Sequence, residues 1–197
     1  MSPELRQRLV KTEAAMNAAK RVLSENEYRS NTRTVIVLGF MAQMVEHQEA
    51  IHLLIVRDMI GSAFALVRSV FEGACRGVWI NCCASDDQIE RFRVSDEISL
   101  TMAELTDAID TACATQGFYK TAKQTLWNTL NSYTHTGMMQ VSRRFSHHEL
   151  KTSYDEDDIY IVASLVTTST LLLIANFLGT QSFIRQRDCV YNLLGTY

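Results

Sequence analysis

GSAFALVRSVFEGACRGVWINCCA, residues 61–84, is the stretch whose reading decides the fold of this 197-residue chain. Its only charged residues are Arg68, Glu72 and Arg76; the others are apolar, small or uncharged, among them Phe64, Val67, Val70, Phe71, Cys75, Val78, Trp79 and Ile80. A segment that is apolar round its whole circumference predicts a helix inside a helical core. At about 100° per residue the three charges fall within roughly 80° of one another, on an arc shared with Cys75 and Trp79 rather than on a solvated face. Buried charges have to be paired and hydrogen-bonded, and the i, i+4, i+8 order lets Glu72 bridge both arginines. Two readings stand: an internal clasp that fixes helix register, and a polar floor under a cleft, with Glu72 orienting an arginine towards an anion such as phosphate. In either, Glu72→Ala leaves two buried arginines facing each other, at an expected cost of about 3–5 kcal/mol.

The rest of the chain agrees with a helical frame. One proline and eight glycines leave little turn punctuation, which disfavours sandwiches, barrels and doubly wound sheets. A hydrophobic share of 47% with 21% charged residues excludes a mostly disordered chain. The expected architecture is one all-α domain over residues 1–197, an antiparallel bundle of six to seven helices with essentially no strand. Residues 1–30 form its N-terminal helix, 32–144 its central helices and 155–194 a C-terminal helical hairpin. Leu5, Leu9, Thr12, Met16, Ala19 and Leu23 mark the stripe of the first helix, and Val37, Met41, Met44, Gln48, Ile51 and Ile55 that of the second. Met59-Ile60-Gly61 reads as a joint. Ser85 caps a fourth helix whose Ile98, Met102, Leu105, Ile109 and Ala112 repeat the four-three spacing as far as Gln116-Gly117. The stripes of the first and fourth helices are narrow seams and predict a homodimer built on one edge of the bundle.

Net charge is −3, which argues against general nucleic-acid affinity but leaves room for a local basic patch. Five cysteines, at 75, 82, 83, 113 and 189, form no C-x-x-C pair and read as reduced core thiols of a cytoplasmic protein. Met1-Ser2-Pro3-Glu4 opens a polar helix rather than an apolar signal region. Residues 159–178 carry no charge and are long enough to span a bilayer. Their Ser164, Thr167, Thr168, Ser169, Thr170 and Asn176, behind the acidic run Asp155-Glu156-Asp157-Asp158, read instead as a buried core helix with an acidic first turn.

The densest polar cluster is Asn131-Ser132-Tyr133-Thr134-His135-Thr136-Gly137, followed by Met138-Met139-Gln140-Val141-Ser142-Arg143-Arg144. His135 can serve as acid or base near neutral pH, Gly137 reads as the left-handed residue that stops the helix, and Arg143 and Arg144 suit phosphate. The competing reading is a helix cap with a histidine satisfied by backbone carbonyls. His47 and His52 fall on different helical faces, and His147 and His148 are adjacent, so no metal site is expected. Nucleophile elbow, phosphate loop and dinucleotide glycine pattern are missing, and no cofactor is expected. Arg68, Glu72 or Arg76 is expected close to Tyr133, His135 or Gln140, since the helix is too apolar to leave its charges without partners.

The R-x-x-x-E-x-x-x-R block 68–76 and the Ser132-Tyr133-Thr134-His135-Thr136-Gly137 block, with Gln140 and Arg143-Arg144 behind it, resemble the two signatures of an uncharacterised group of bacterial helical proteins, loosely similar to the HEPN superfamily. That superfamily includes metal-independent ribonucleases of toxin–antitoxin and phage-defence systems, together with non-catalytic relatives. The resemblance implies an HEPN-like bundle that engages RNA or a nucleotide, with His135, Arg68 and Glu72 as catalytic residues and Arg76, Tyr133, Gln140, Arg143 and Arg144 contacting substrate. The superfamily motif R-x(4-6)-H is not matched before His135, where Asn128 and Asn131 stand; Arg143 and His148 fit its bare spacing. The alternative class is a non-catalytic interaction module, with a protein partner from a neighbouring gene and a structural Arg-Glu-Arg clasp.

Overall fold

The computed structural model describes residues 1–146 and 149–197. The protein is all-helical, with nine helices among the described residues: α1 Pro3–Ser24, α2 Thr32–Val56, α3 Ile60–Cys82, α4 Asp86–Ser95, α5 Met102–Ala112, α6 Phe118–Thr134, α7 Met138–Ser142, α8 Glu156–Thr180 and α9 Ile184–Leu193. A ribbon of two-residue strands, β1 Phe145–Ser146 and β2 Glu149–Leu150, pairs antiparallel between α7 and α8.

The helix starts follow the local chemistry. The Ser2 and Asn31 side chains accept from the backbone N–H groups of Leu5 and Thr34, each supplying an acceptor for a donor without an intrahelical partner. Ser85 with Gln88 forms a capping box on α4, and Thr101 with Glu104 forms a second on α5. That second box corrects the single fourth helix expected from spacing. Asp96 turns left-handed at φ 55°, which ends α4 because a helix cannot continue through that conformation. The following residues run irregularly to the new cap, so Ile98 lies in a loop. The joint between α2 and α3 also moves: Asp58, at φ 58°, makes the turn, and Gly61 lies within α3.

The core lies where α3 and α8 meet. α3 packs against α2, α8, α6 and α5, and α8 against α3, α1, α2 and α9. Leu171, Leu173, Ile174, Phe177 and Leu178 of α8 are fully buried, as are Val70, Cys75 and Ile80 of α3. The stripe residues Val37, Met41, Met44, Gln48, Ile51 and Ile55 of α2 are buried too. α8 is long and apolar enough to cross a membrane by length and composition. Its Thr167 and Thr170 hydroxyls donate to the carbonyls of Ala163 and Val166, both at 2.9 Å, and Gln48 donates to the Thr167 hydroxyl at 3.0 Å. These bonds satisfy polar groups that would otherwise be costly in an apolar interior. The Leu5, Leu9, Thr12, Met16 and Ala19 stripe of α1 is buried, with α1 packed on α8, and Leu105 and Ile109 of α5 are buried as well. The two seams from which a dimer was expected are therefore occupied within the chain.

The approach of α3 to α8 depends on Gly77. A Cβ there would lie 2.7 Å from Leu173 Cδ2 and 2.9 Å from Cδ1, far inside van der Waals contact. Gly77→Val is expected to lower stability by about 2–3 kcal/mol through overpacking. Leu173→Ala in the same chain should restore part of the fit, so that the double variant loses less than the two single losses added. Urea denaturation of the four proteins checks both expectations.

Candidate functional site

On α3, Arg68 Nε donates to Glu72 Oε1 at 2.6 Å, and Arg76 Nη2 lies 3.5 Å from Glu72 Oε2. Glu72 thus bridges both arginines, as the i, i+4, i+8 spacing requires. The ladder is less buried than the apolar sequence suggested: the side chains of Arg68, Glu72 and Arg76 are 23%, 18% and 42% exposed. The physical reason is coverage. Four neighbouring helices close most of α3, and the arc that carries the charges opens into a cleft of about 250 Å3 whose walls include Asp96, Leu100, Met102 and Trp127.

The facing wall comes from α6. The Arg68 guanidinium lies over the Trp127 ring, 4.8 Å from its centroid, a cation–π arrangement. Its Nη1 is 2.5 Å from His135 Nε2. A guanidinium only donates, so in this contact Nε2 is the acceptor. Trp127, Asn131 and His135 follow one another at spacings of four and share one face of the last turns of α6. The side-chain oxygen of Asn131 is buried and has no hydrogen-bond partner among the described residues.

His135 is held by a tightly built helix end. His135 N–H donates to Asn131 O at 3.0 Å and Gly137 N–H to Ser132 O at 2.6 Å, around Thr136 at φ 52°. This is the six-to-one closure of a Schellman motif, with threonine rather than glycine in the left-handed position. Gly137 itself is extended at φ −71°, which corrects the expected role. Glycine stands there because a Cβ would meet Ser132 Oγ at 2.5 Å and Ser132 Cα at 2.9 Å. Thr134 Oγ1 donates to Ala65 O at 3.2 Å and also lies 2.9 Å from Leu130 O, tying the end of α6 to α3 one turn before Arg68.

Of the other residues singled out from sequence, Tyr133, Gln140 and Arg143 make contacts that hold the scaffold. Tyr133 is buried edge-on against Phe64, with 5.1 Å between ring centroids. Gln140 Nε2 donates to Gly61 O at 3.0 Å and anchors α7. Arg143 bonds Asp158 Oδ2 at 2.6 Å and Ser153 O at 3.1 Å, clamping the start of α8. Arg144 is exposed and lies against Gly61 and Tyr154. His147 and His148 lie outside the described residues, and His52 Nε2 is 3.8 Å from Glu13. Sequence reasoning missed Trp127, whose signal was its spacing of eight from His135, and Asp96 and Leu100, which had been read as helix.

Because solvent reaches the ladder, the cost of breaking it is smaller than a buried triad would impose. Glu72→Ala is expected to lower stability by about 1–2 kcal/mol, in the range of charge-assisted hydrogen bonds discounted for exposure. A thermal melt that shows a loss of about 3–5 kcal/mol would mean that the arginines are buried as a sealed group.

Neither the curated proteins nor the solved structures contain a match to this chain. A family profile, described as a family of unknown function (DUF6988), matches residues 41–187, a span that holds the whole Arg68–Glu72–Arg76 ladder, Trp127 and the His135 turn. The chain belongs to that family, DUF6988.

Proposed function

We propose that the cleft between α3, α5 and α6 engages RNA or a nucleotide, and that the chain works as an HEPN-like helical bundle and homodimer, as a metal-independent ribonuclease of a bacterial toxin–antitoxin or phage-defence system. The observation that carries the reading is the position of one guanidinium: Arg68 lies on Trp127 and touches His135 Nε2. An aromatic ring and a donor for phosphate therefore line one open cleft, and a proton acceptor, His135 Nε2, touches that donor beside it. Arg76, 42% exposed, has further donors on the solvent side. Formal charge in the walls is balanced, Arg68 and Arg76 against Glu72 and Asp96, which favours a nucleotide or a short single strand over a long polyanion.

In the catalytic form, Arg68 moves from Nε2 to the scissile phosphate. His135 Nε2 takes the ribose 2′-hydroxyl proton as the 2′-oxygen bonds to phosphorus and the 5′-oxygen leaves, to be protonated by solvent. Glu72 positions the two guanidinium groups. The same charge balance favours a second reading, in which the ladder is a structural clasp in a non-catalytic module that binds a protein partner.

Fluorescently labelled single-stranded RNA separates the two. Trp127→Ala should weaken binding by about 1–3 kcal/mol, the usual worth of one stacked base. His135→Ala should leave the melting temperature nearly unchanged and reduce cleavage by about 10²–10⁴-fold, and a chelator should have no effect. If the wild-type protein binds neither RNA nor mononucleotides, and His135→Ala only lowers the melting temperature, the clasp reading replaces this one.

A further inference from the structure

A second large cleft is separate from the ladder. About 560 Å3 in volume, it lies among α3, α5, α6, α8 and α9, and both Cys82 and Cys113 line it. Cys82 is the last residue of α3 and Cys113 caps α5. Asn176, on α8, bridges them. Its Oδ1 accepts from the Cys82 thiol at 3.2 Å, and its Nδ2 donates to Cys113 Sγ at 3.7 Å. Asn81 Nδ2 donates to the same Oδ1 at 2.7 Å, which fixes which way the Asn176 amide points. Both sulfurs thus contact the same side-chain amide, one at its oxygen and one at its nitrogen.

From this geometry we infer that Cys82 and Cys113 are a redox-active dithiol, a site at which hydrogen peroxide converts two thiols into an intramolecular disulfide. The Cys82 thiolate attacks one peroxide oxygen, the O–O bond breaks, and hydroxide leaves, so Cys82 becomes a sulfenic acid. The Cys113 sulfur then attacks the Cys82 sulfur, the S–O bond breaks, and the Cys113 proton leaves with the hydroxyl as water. Two thiols lose two electrons and peroxide becomes two waters.

The surroundings favour Cys82 as the attacking sulfur. Helix C-termini oppose a thiolate, but here Arg33 offsets them: its Nη1 donates to Ile80 O at 2.5 Å and its Nη2 to Ala84 O at 2.9 Å. The guanidinium thus satisfies the terminal carbonyls of α3, pairs with Asp86 Oδ1 at 3.1 Å, and keeps a positive charge near Cys82. The Cys113 side chain, with the Arg33 charge and Asn81 against burial, holds the Cys82 thiol below its ordinary value. The neighbouring Cys82 sulfur and burial push Cys113 up. Burial pushes Cys83 up to about 11 and Cys75 up to about 12. Low-pKa thiols with a resolving partner are the ones that oxidise reversibly. The crosslink would join the ends of α3 and α5, and α5 supplies Met102 and Leu105 to the ladder cleft.

The test uses the full chain with Cys189→Ser, which removes the exposed thiol of α9. The protein is treated with hydrogen peroxide, its remaining thiols are blocked with N-ethylmaleimide, and it is read by intact mass and peptide mapping. The expected result is a loss of two hydrogens per chain and a Cys82–Cys113 crosslinked peptide, both reversed by dithiothreitol. Cys82→Ser and Cys113→Ser should each abolish the crosslink, and Cys83→Ser should keep it. Before oxidation, iodoacetamide at neutral pH should alkylate Cys82 at least about 10-fold faster than Cys83. A Cys82–Cys83 crosslink, sulfinic acid on Cys82 with Cys113 still free, or equal alkylation rates would overturn the inference. The map of the Cys189→Ser protein decides the point even if a further serine variant fails to fold.

Discussion

Everything in the molecule is arranged around the close approach of α3 to α8. Gly77 on one side and Leu173 on the other allow it, and the apolar lengths of both helices are covered as a result. α2, α5 and α6 then close the remaining sides of α3. What they leave is a single polar arc, and it is there that the sequence carries Arg68, Glu72 and Arg76. The charges are tolerated because that arc keeps contact with water: an isolated charge is expensive in a low-dielectric interior, and a partly exposed, paired one is not. The candidate site is therefore a product of packing, lying on an arc of the central helix that its neighbours leave partly uncovered.

Within that arc, Arg68 joins the elements. It touches a carboxylate on its own helix and an aromatic ring and an imidazole on α6. α6 in turn is held by the Thr134 bond to Ala65 and by the Schellman closure over Ser132. The scaffold residues Tyr133, Gln140 and Arg143 fix the far side of the same turn to α3 and α8. A polar cluster in the sequence thus divides into a residue that meets Arg68, His135, and residues that fasten the turn.

The ladder and its meeting with His135 were legible in the sequence because both follow from short-range rules. Charges at spacings of four must pair, and a helix too apolar to leave them alone must find them polar neighbours. The stripes of α1 and α2 were legible for the same reason. The break at residues 96–101 was not, because the four-three spacing of Ile98, Met102, Leu105 and Ile109 runs straight across it; the Thr101–Glu104 capping box was the signal that outweighs periodicity there. Gly137 misled because glycine usually marks a left-handed position, and here close packing on Ser132 demands it instead. The cleft itself was beyond reach. Asp96 and Leu100 come from the loop before α5 and Trp127 from α6, and no local pattern brings them together. The seams of α1 and α5 looked like dimer faces because a narrow stripe does not say whether its partner lies in the same chain.

The place of α8 in the chain order has a kinetic consequence. α8 begins at Glu156, yet it packs on α1, which ends at Ser24, and on α2 and α3. Contacts such as α2 with α3, or α5 with α6, close over short stretches of chain, whereas those of α8 close over most of its length. Non-local closure slows folding relative to helical proteins built from neighbouring hairpins. Chains synthesised from the N-terminus hold the inner faces of α1, α2 and α3 open until the last apolar helix arrives, and such exposed surface is where aggregation begins. The hydroxyls of Thr167 and Thr170 bond within α8 itself, so their backbone partners are in place before docking. The late helix then needs only to find its surface, without breaking hydrogen bonds to fit it.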